Sequence, residues 1–253
     1  MPDEARGVIL SALNQVAGAP VGPADWRRPQ ETSAPDGSTA VRQAHRTGPE
    51  LVEGLAEVPA VLAARFTAAA SERGVTVTRE VGAGAARLSI LSFLRRADVR
   101  QVLVWEQEEL PVPGLLDALH MLGIETTTPS AAALRSGALV SDGKMATMGM
   151  SVGLAGLADQ GSIVVRYPGA ASMLAAAWPT THLVLLSAAN LAPSFESWVA
   201  GARLQGRLAD WIQHDMTIVS GPSLTMDIEQ IPVRGASGPT HLHIFLIEDD
   251  IKL

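Results

Sequence analysis

The chain has 253 residues, 19 basic against 26 acidic, and a formal net charge of −7. That length suits one large α/β domain, or one domain with an ordered arm. The negative balance and an aromatic content of 4% provide neither a basic footprint nor a stacking platform for nucleic acid.

With no cysteine, the chain alone supplies no disulfide, thiol nucleophile, Cys-ligated zinc or iron–sulfur cluster. No cofactor is expected from the residues. Lys144 and Lys252 are the only lysines. Lys144 ends Ser141-Asp142-Gly143-Lys144, a predicted turn, which argues against Schiff-base and phosphate-loop chemistry.

In chain order, Val8, Ile9, Leu13 and Val16 predict an amphipathic helix over roughly residues 4–17. The opening MPDEARGVIL has no basic region ahead of its apolar residues, so it does not read as a secretory signal. From Gly18 to Pro49 no apolar period survives, which predicts an extended arm that packs on its own body or on a second subunit. A homo-oligomer is one expectation that follows. The division expected is residues 1–50 as helix and arm, and 51–253 as an α/β domain.

Beyond the arm the pattern alternates. Val58, Leu62, Phe66 and Ala69 predict a helix closed by Gly74, and Val75 to Val81 a strand. Leu88, Leu91 and Leu94 mark the next helix, Val102 to Trp105 a short strand, and Pro113 to Leu122 a further helix. Ile163 to Tyr167, Leu183 to Ser187, Met216 to Ser220 and His241 to Ile247 have strand length. Phe195, Trp198, Ala202, Leu208 and Ile212 trace a long helix that starts after Ser194. Such alternation predicts a mostly parallel sheet covered on both faces. The longest stretch free of Asp, Glu, Lys and Arg, Tyr167 to Phe195, is broken by Pro168, Pro179, His182 and Asn190, unlike a membrane span. A cytoplasmic protein is expected.

Several stretches could carry chemistry. Gly149-Met150-Ser151-Val152-Gly153 matches a nucleophile elbow, which needs a strand before the serine and a helix after it. The glycines that follow make poor helix, so the competing reading is a small-residue stretch where backbones approach closely. Gly156 to Ser162 has phosphate-loop glycine spacing but no lysine after its second glycine. It reads as a tight connection with Gly161 at positive φ, with Asp159 and Ser162 near the end of an apolar run, where binding residues collect.

Ser220-Gly221-Pro222-Ser223-Leu224-Thr225-Met226-Asp227-Ile228-Glu229 is the strongest local signal. A strand ends, the chain turns, and Ser223 or Thr225 is placed to cap a short helix whose free N–H groups would hold an anion. Asp227 and Glu229 could act as acid and base there, or simply favour the positive end of the helix. His241 and His243 share one face of a strand, but spacing specifies no third metal ligand, and no metal is predicted. The five tryptophans read as packing anchors.

Taken together, Ala158-Asp159-Gln160-Gly161-Ser162, the strand at His182 to Ser187, Gly221 to Glu229, Gly235 to Pro239 and Leu242-His243 resemble the LUD (lactate utilization) family, most closely its C-type members. The resemblance implies the three-layer α/β fold shared with ribose-phosphate isomerase and CoA transferases. It also implies a part in oxidising L-lactate to pyruvate beside iron–sulfur partner proteins, and the absence of cysteine agrees with the C-type branch. The chain departs from the family pattern at Gln160, Leu224, Met226 and Ser237, where Thr, Arg or Lys, Ala and His are usual.

The site expected on this reading takes Asp159, Asp227 and Glu229 as catalytic carboxylates. Gly161, Ser162, Gly221, Ser223 and Thr225 hold a small anionic metabolite. Two alternatives accompany it: a non-catalytic subunit that docks on cluster-bearing partners through the Gly18–Pro49 arm, and a stand-alone ligase or isomerase related to formyltetrahydrofolate cyclo-ligase.

Overall fold

The computed structural model describes residues 59–105, 110–137, 139–141, 144–145, 147–167, 171–207, 215–226 and 232–248. The expected helix at 4–17 and the Gly18–Pro49 arm lie outside them. α1 (Pro59–Glu72) is the first predicted helix of the body and buries Leu62, Ala63, Phe66 and Ala70. Gly74 stops it at φ +77°, a left-handed conformation that costs glycine little.

β1 (Thr76–Val81), α2 (Gly82–Arg96), β2 (Gln101–Val104) and α3 (Leu115–Met121) follow as predicted, although α3 begins beyond Gly114 rather than at Pro113. The α2 face that is buried is Ala86, Ile90 and Leu94, and Leu88 points outward. β3 (Glu125–Thr127) and α4 (Ala131–Ser136) are too short to show a period. β4 (Val140–Ser141) and β5 (Lys144–Met145) pair Ser141 with Lys144 across the predicted turn.

β6 (Met148–Val152), β7 (Ala155–Leu157), β8 (Ser162–Tyr167), α5 (Leu174–Ala177) and β9 (Thr181–Ser187) come next. A 3-10 turn (Ala188–Asn190), β10 (Leu191–Ala192) and α6 (Phe195–Leu204) follow. β11 (Asp215–Val219), β12 (Leu224–Met226), β13 (Pro232–Arg234) and β14 (His241–Glu248) complete the order. α6 starts after Ser194, whose hydroxyl accepts from Ser197 N–H. It ends at Leu204, where Gly206 at φ +68° turns the chain, and the predicted Leu208 and Ile212 lie outside the described residues.

The central sheet has the order β1-β14-β9-β6-β2-β3, and every pair in it is parallel. Strands covered on both faces read as unbroken apolar runs rather than alternating ones. Val102, Val104, Met148, Met150, Leu183, Leu185 and Phe245 pack toward α2 and α3. Their neighbours Leu103, Trp105, Val184, Leu186, Ile244 and Leu246 pack toward α1 and a second sheet. That second sheet, β10-β7-β8-β11, is parallel between β10 and β7 and antiparallel elsewhere. The result is a three-layer α/β domain with a parallel centre. Among the described residues no helix is long and apolar enough to cross a membrane.

Candidate functional site

β6 and β9 are adjacent parallel strands in the central sheet, and both leave it at their carboxyl ends. Gly153 N–H still donates to Leu185 O of β9, at 2.9 Å, whereas Leu154 N–H donates to Val164 O of β8 in the second sheet, at 2.8 Å. The chain thus changes sheets between two consecutive residues. On the neighbouring strand the same change takes one 3-10 turn, Ala188–Asn190, before β10 pairs with β7. Gly153 suits the junction: a Cβ there would sit 3.0 Å from Leu186 Cδ1 and 3.3 Å from Val184 Cγ1.

Where the two strands part from the sheet, a cavity of about 180 Å³ opens, lined by Pro111, Val152, Gly153, Leu154, Arg166, Ser187 and Asn190. It lies at the carboxyl ends of central parallel strands, where ligands of open α/β sheets collect. Among the described residues of that lining Arg166 is the charged one, and it is partly buried on β8. Ser187 Oγ accepts from Ala189 N–H at 3.3 Å, which leaves its hydroxyl proton able to donate elsewhere. A guanidinium, a hydroxyl and a carboxamide around a small chamber can hold one carboxylate.

Sequence reasoning did not single out Arg166, Ser187 or Asn190. A signal for the last two was present: Ser187-Ala188-Ala189-Asn190 puts two polar side chains directly after a buried strand. Arg166 carried none, because an alternating strand explains it equally well.

Below this cavity, Ser151 Oγ lies 2.6 Å from His182 Nε2, and the two residues are 0% and 1% exposed. Burial pushes the His182 imidazole down to about 4, so it is neutral at physiological pH. Ser151 stands within β6 rather than on a strand-to-helix turn, and its hydroxyl is enclosed. A nucleophile elbow is therefore absent. The small-residue reading holds instead: a Cβ on Gly149 would come within 1.7 Å of Ala175 O in α5.

The predicted site residues are distributed as follows. Gly161 takes φ +63°, as expected, and packs so closely on α1 that a Cβ would meet Ala70 N at 2.1 Å. Ser162 is buried, and its hydroxyl pairs with Ser220 Oγ at 2.8 Å, which brings the Gly161–Ser162 and Ser220–Gly221 segments together. Asp159 is exposed, with its N–H donating to Pro193 O at 3.1 Å.

Ser223 and Thr225 do not cap a helix, because Leu224–Met226 is a strand paired with Pro232–Arg234. Ser223 N–H donates to Pro239 O at 2.8 Å, its carbonyl accepts from Gly235 N–H at 3.0 Å, and its hydroxyl accepts from Ser237 N–H at 3.4 Å. The N–H meant for an anion is thus already used by the loop. Asp227 and Glu229 lie outside the described residues. His243 Nε2 meets Thr78 Oγ1 at 2.8 Å and its ring stacks on Phe245, a packing role. Among the described residues no three His, Asp or Glu side chains converge as a metal site.

The family model for the LUD domain matches residues 63–247. A crystal structure of a DUF162 family protein from Deinococcus radiodurans is similar at a TM-score of 0.49 and 15% identity, covering 75% of this chain and 98% of that one. No curated protein matches the sequence. With most of its length matched by that family model, the chain belongs to the LUD domain family.

Proposed function

We propose that the chain is a component of L-lactate utilization that binds a small carboxylate in the cavity at the ends of β6 and β9. The observation that carries this is the gathering of Arg166, Ser187 and Asn190 around a chamber of about 180 Å³ at the carboxyl ends of central parallel strands. That volume is below the ~300–1,000 Å³ usual for drug-sized ligands and suits a three-carbon acid. Arg166 pairs with the carboxylate, Ser187 donates to it, and Asn190 offers both a donor and an acceptor to an α-hydroxyl. Because the chain has no cysteine, the electrons of lactate oxidation would pass to iron–sulfur partner proteins.

Calorimetric titration of the full chain with L-lactate and with pyruvate tests this reading. Arg166→Gln is expected to weaken binding by at least about tenfold, the usual scale for a charge-assisted hydrogen bond. Unchanged affinity in that variant overturns the placement. If Ser162→Ala or Ser223→Ala weakens lactate more than Arg166→Gln does, the anion instead belongs with the serine loop and the carboxylates Asp159, Asp227 and Glu229.

A further inference from the structure

The two larger sheets end in four edge strands, β1 and β3 in the central sheet and β10 and β11 in the second. An edge strand offers unpaired N–H and C=O groups to any other strand, and folded proteins blunt it with charge, proline or brevity. β1 carries Arg79 and Glu80, and Arg79 is tied to Glu248 by an ion pair of 2.7 Å. β3 has three residues. β10 has two and runs straight into Pro193.

β11 has none of these devices. Asp215-Met216-Thr217-Ile218-Val219 pairs with β8 at five successive positions without a bulge, and it holds no proline, lysine, arginine or glycine. No backbone hydrogen bond runs from it to a described residue outside β8. Asp215, Thr217 and Ile218 are exposed, Ile218 to 45%. Its register partner on β8, Val164, is 1% exposed, so the sheet face that covers the valine stops short of the isoleucine.

The side chains define what fits this edge. Met216 packs toward Ala155, Leu157 and Val164. Ile218, two positions on, shares that face, while Thr217 and Val219 turn to the other. When β11 pairs antiparallel with a second β11 across a two-fold axis normal to the sheet, each face meets its like, so the axis must fall on a residue. Only an axis at Thr217 pairs all five. In that register Met216 faces the partner's Ile218, and Ile218 faces the partner's Met216, so both exposed isoleucines gain an apolar cover. Asp215, the one charged residue of the strand, opposes the partner's Val219. The two aspartates stand about 14 Å apart along the strands, beyond the ~8 Å over which salt screens charge at physiological ionic strength.

We infer that β11 is a self-association edge, through which two copies of the chain join antiparallel over Asp215–Val219 and run their second sheets together. Five residues a side are well below the ~20–30 of a standard interface, so the dimer is weak and reversible and forms as concentration rises. The net charge of −7 on each copy acts in the same direction.

Sedimentation velocity on the full chain, from about 1 μM to about 1 mM, covers the range of such contacts. The sedimentation coefficient is expected to climb from monomer toward dimer across it. Ile218→Lys, at an exposed position, should weaken the dimer by at least about tenfold, since lysine is a natural guard of strand edges. Thr217→Cys gives the chain its sole thiol. Across the axis the two Cβ atoms lie about 5 Å apart, so a short bismaleimide should join two copies much faster than it joins Ser71→Cys, an exposed control on α1.

Thermal unfolding of each variant shows whether it keeps its fold; if Ile218→Lys does not, the thiol measurement decides. A chain that stays monomeric to about 1 mM, beyond the range of weak association, overturns the inference. So does a dimer that folded Ile218→Lys leaves intact, or a thiol at position 217 joined no faster than the one at position 71.

Discussion

At the scale of single residues, two histidines illustrate how burial sets chemistry. His182 and His243 are each pushed down to about 4, because the charged imidazole would lose its hydration inside the fold. The unfolded chain takes up those protons near pH 6.5 while the folded chain does not, so the stabilisation is complete above that pH and is lost as pH falls from there toward 4. At about 1.4 kcal/mol per pH unit, His182 alone withdraws about 2 kcal/mol by pH 5. His243 is only partly enclosed, and its share is smaller because solvent screens it. Urea midpoints measured at pH 7, 6 and 5 should fall in that order, and His182→Gln should flatten most of the slope. An equal slope in that variant would show that His182 charges without cost. Ser151 supplies the hydrogen bond that keeps the buried ring satisfied, which is why the pair is structural and not hydrolytic.

Between elements, the closest approach is that of α5 to β6. Gly149 pairs with His182 across β6 and β9, and above it runs the backbone of Ala175. A methyl group at position 149 would also meet Pro179 Cγ at 2.9 Å, and the atoms nearest to it belong to backbone, which cannot rotate away. Gly149→Ala is therefore expected to destabilise the domain by about 3 kcal/mol, the upper part of the range for overpacked cores. Thermal unfolding measures it, and a loss under about 1 kcal/mol would show that α5 lifts off the sheet easily. The spacing of Gly149 and Gly153 around a serine looked like catalytic punctuation in one dimension. In the fold each glycine is there because another element comes too close for a side chain. The same element-level logic explains the Ser223 loop. Its polar residues looked like a helix cap, but the partner that satisfies Ser223 N–H is Pro239, sixteen positions away in sequence, and local spacing cannot reveal such a bond.

For the whole molecule, the lactate-pathway reading makes a cellular prediction. A strain lacking this chain should fail to grow on L-lactate as sole carbon source, recover with the wild-type copy, and recover poorly with Arg166→Gln. Normal growth of the strain without the chain would detach this family member from lactate. Much of the architecture was legible beforehand. The periods around Leu62 and Phe66, the apolar runs at Val102 and Leu183, and the glycines at 74 and 161 act over a few neighbouring residues, so periodicity and backbone sterics specify them locally. Composition likewise excluded thiol and cluster chemistry, because an absent side chain is absent in any fold. The second sheet was hidden because β7 and β10 are only three and two residues long, too short for a period to show. The cavity was hidden for a deeper reason. Arg166 lies on β8 while Ser187 and Asn190 follow one another at the end of β9, and only the divergence of β6 and β9 into the second sheet brings the two segments around one space, a long-range packing event that no local pattern encodes.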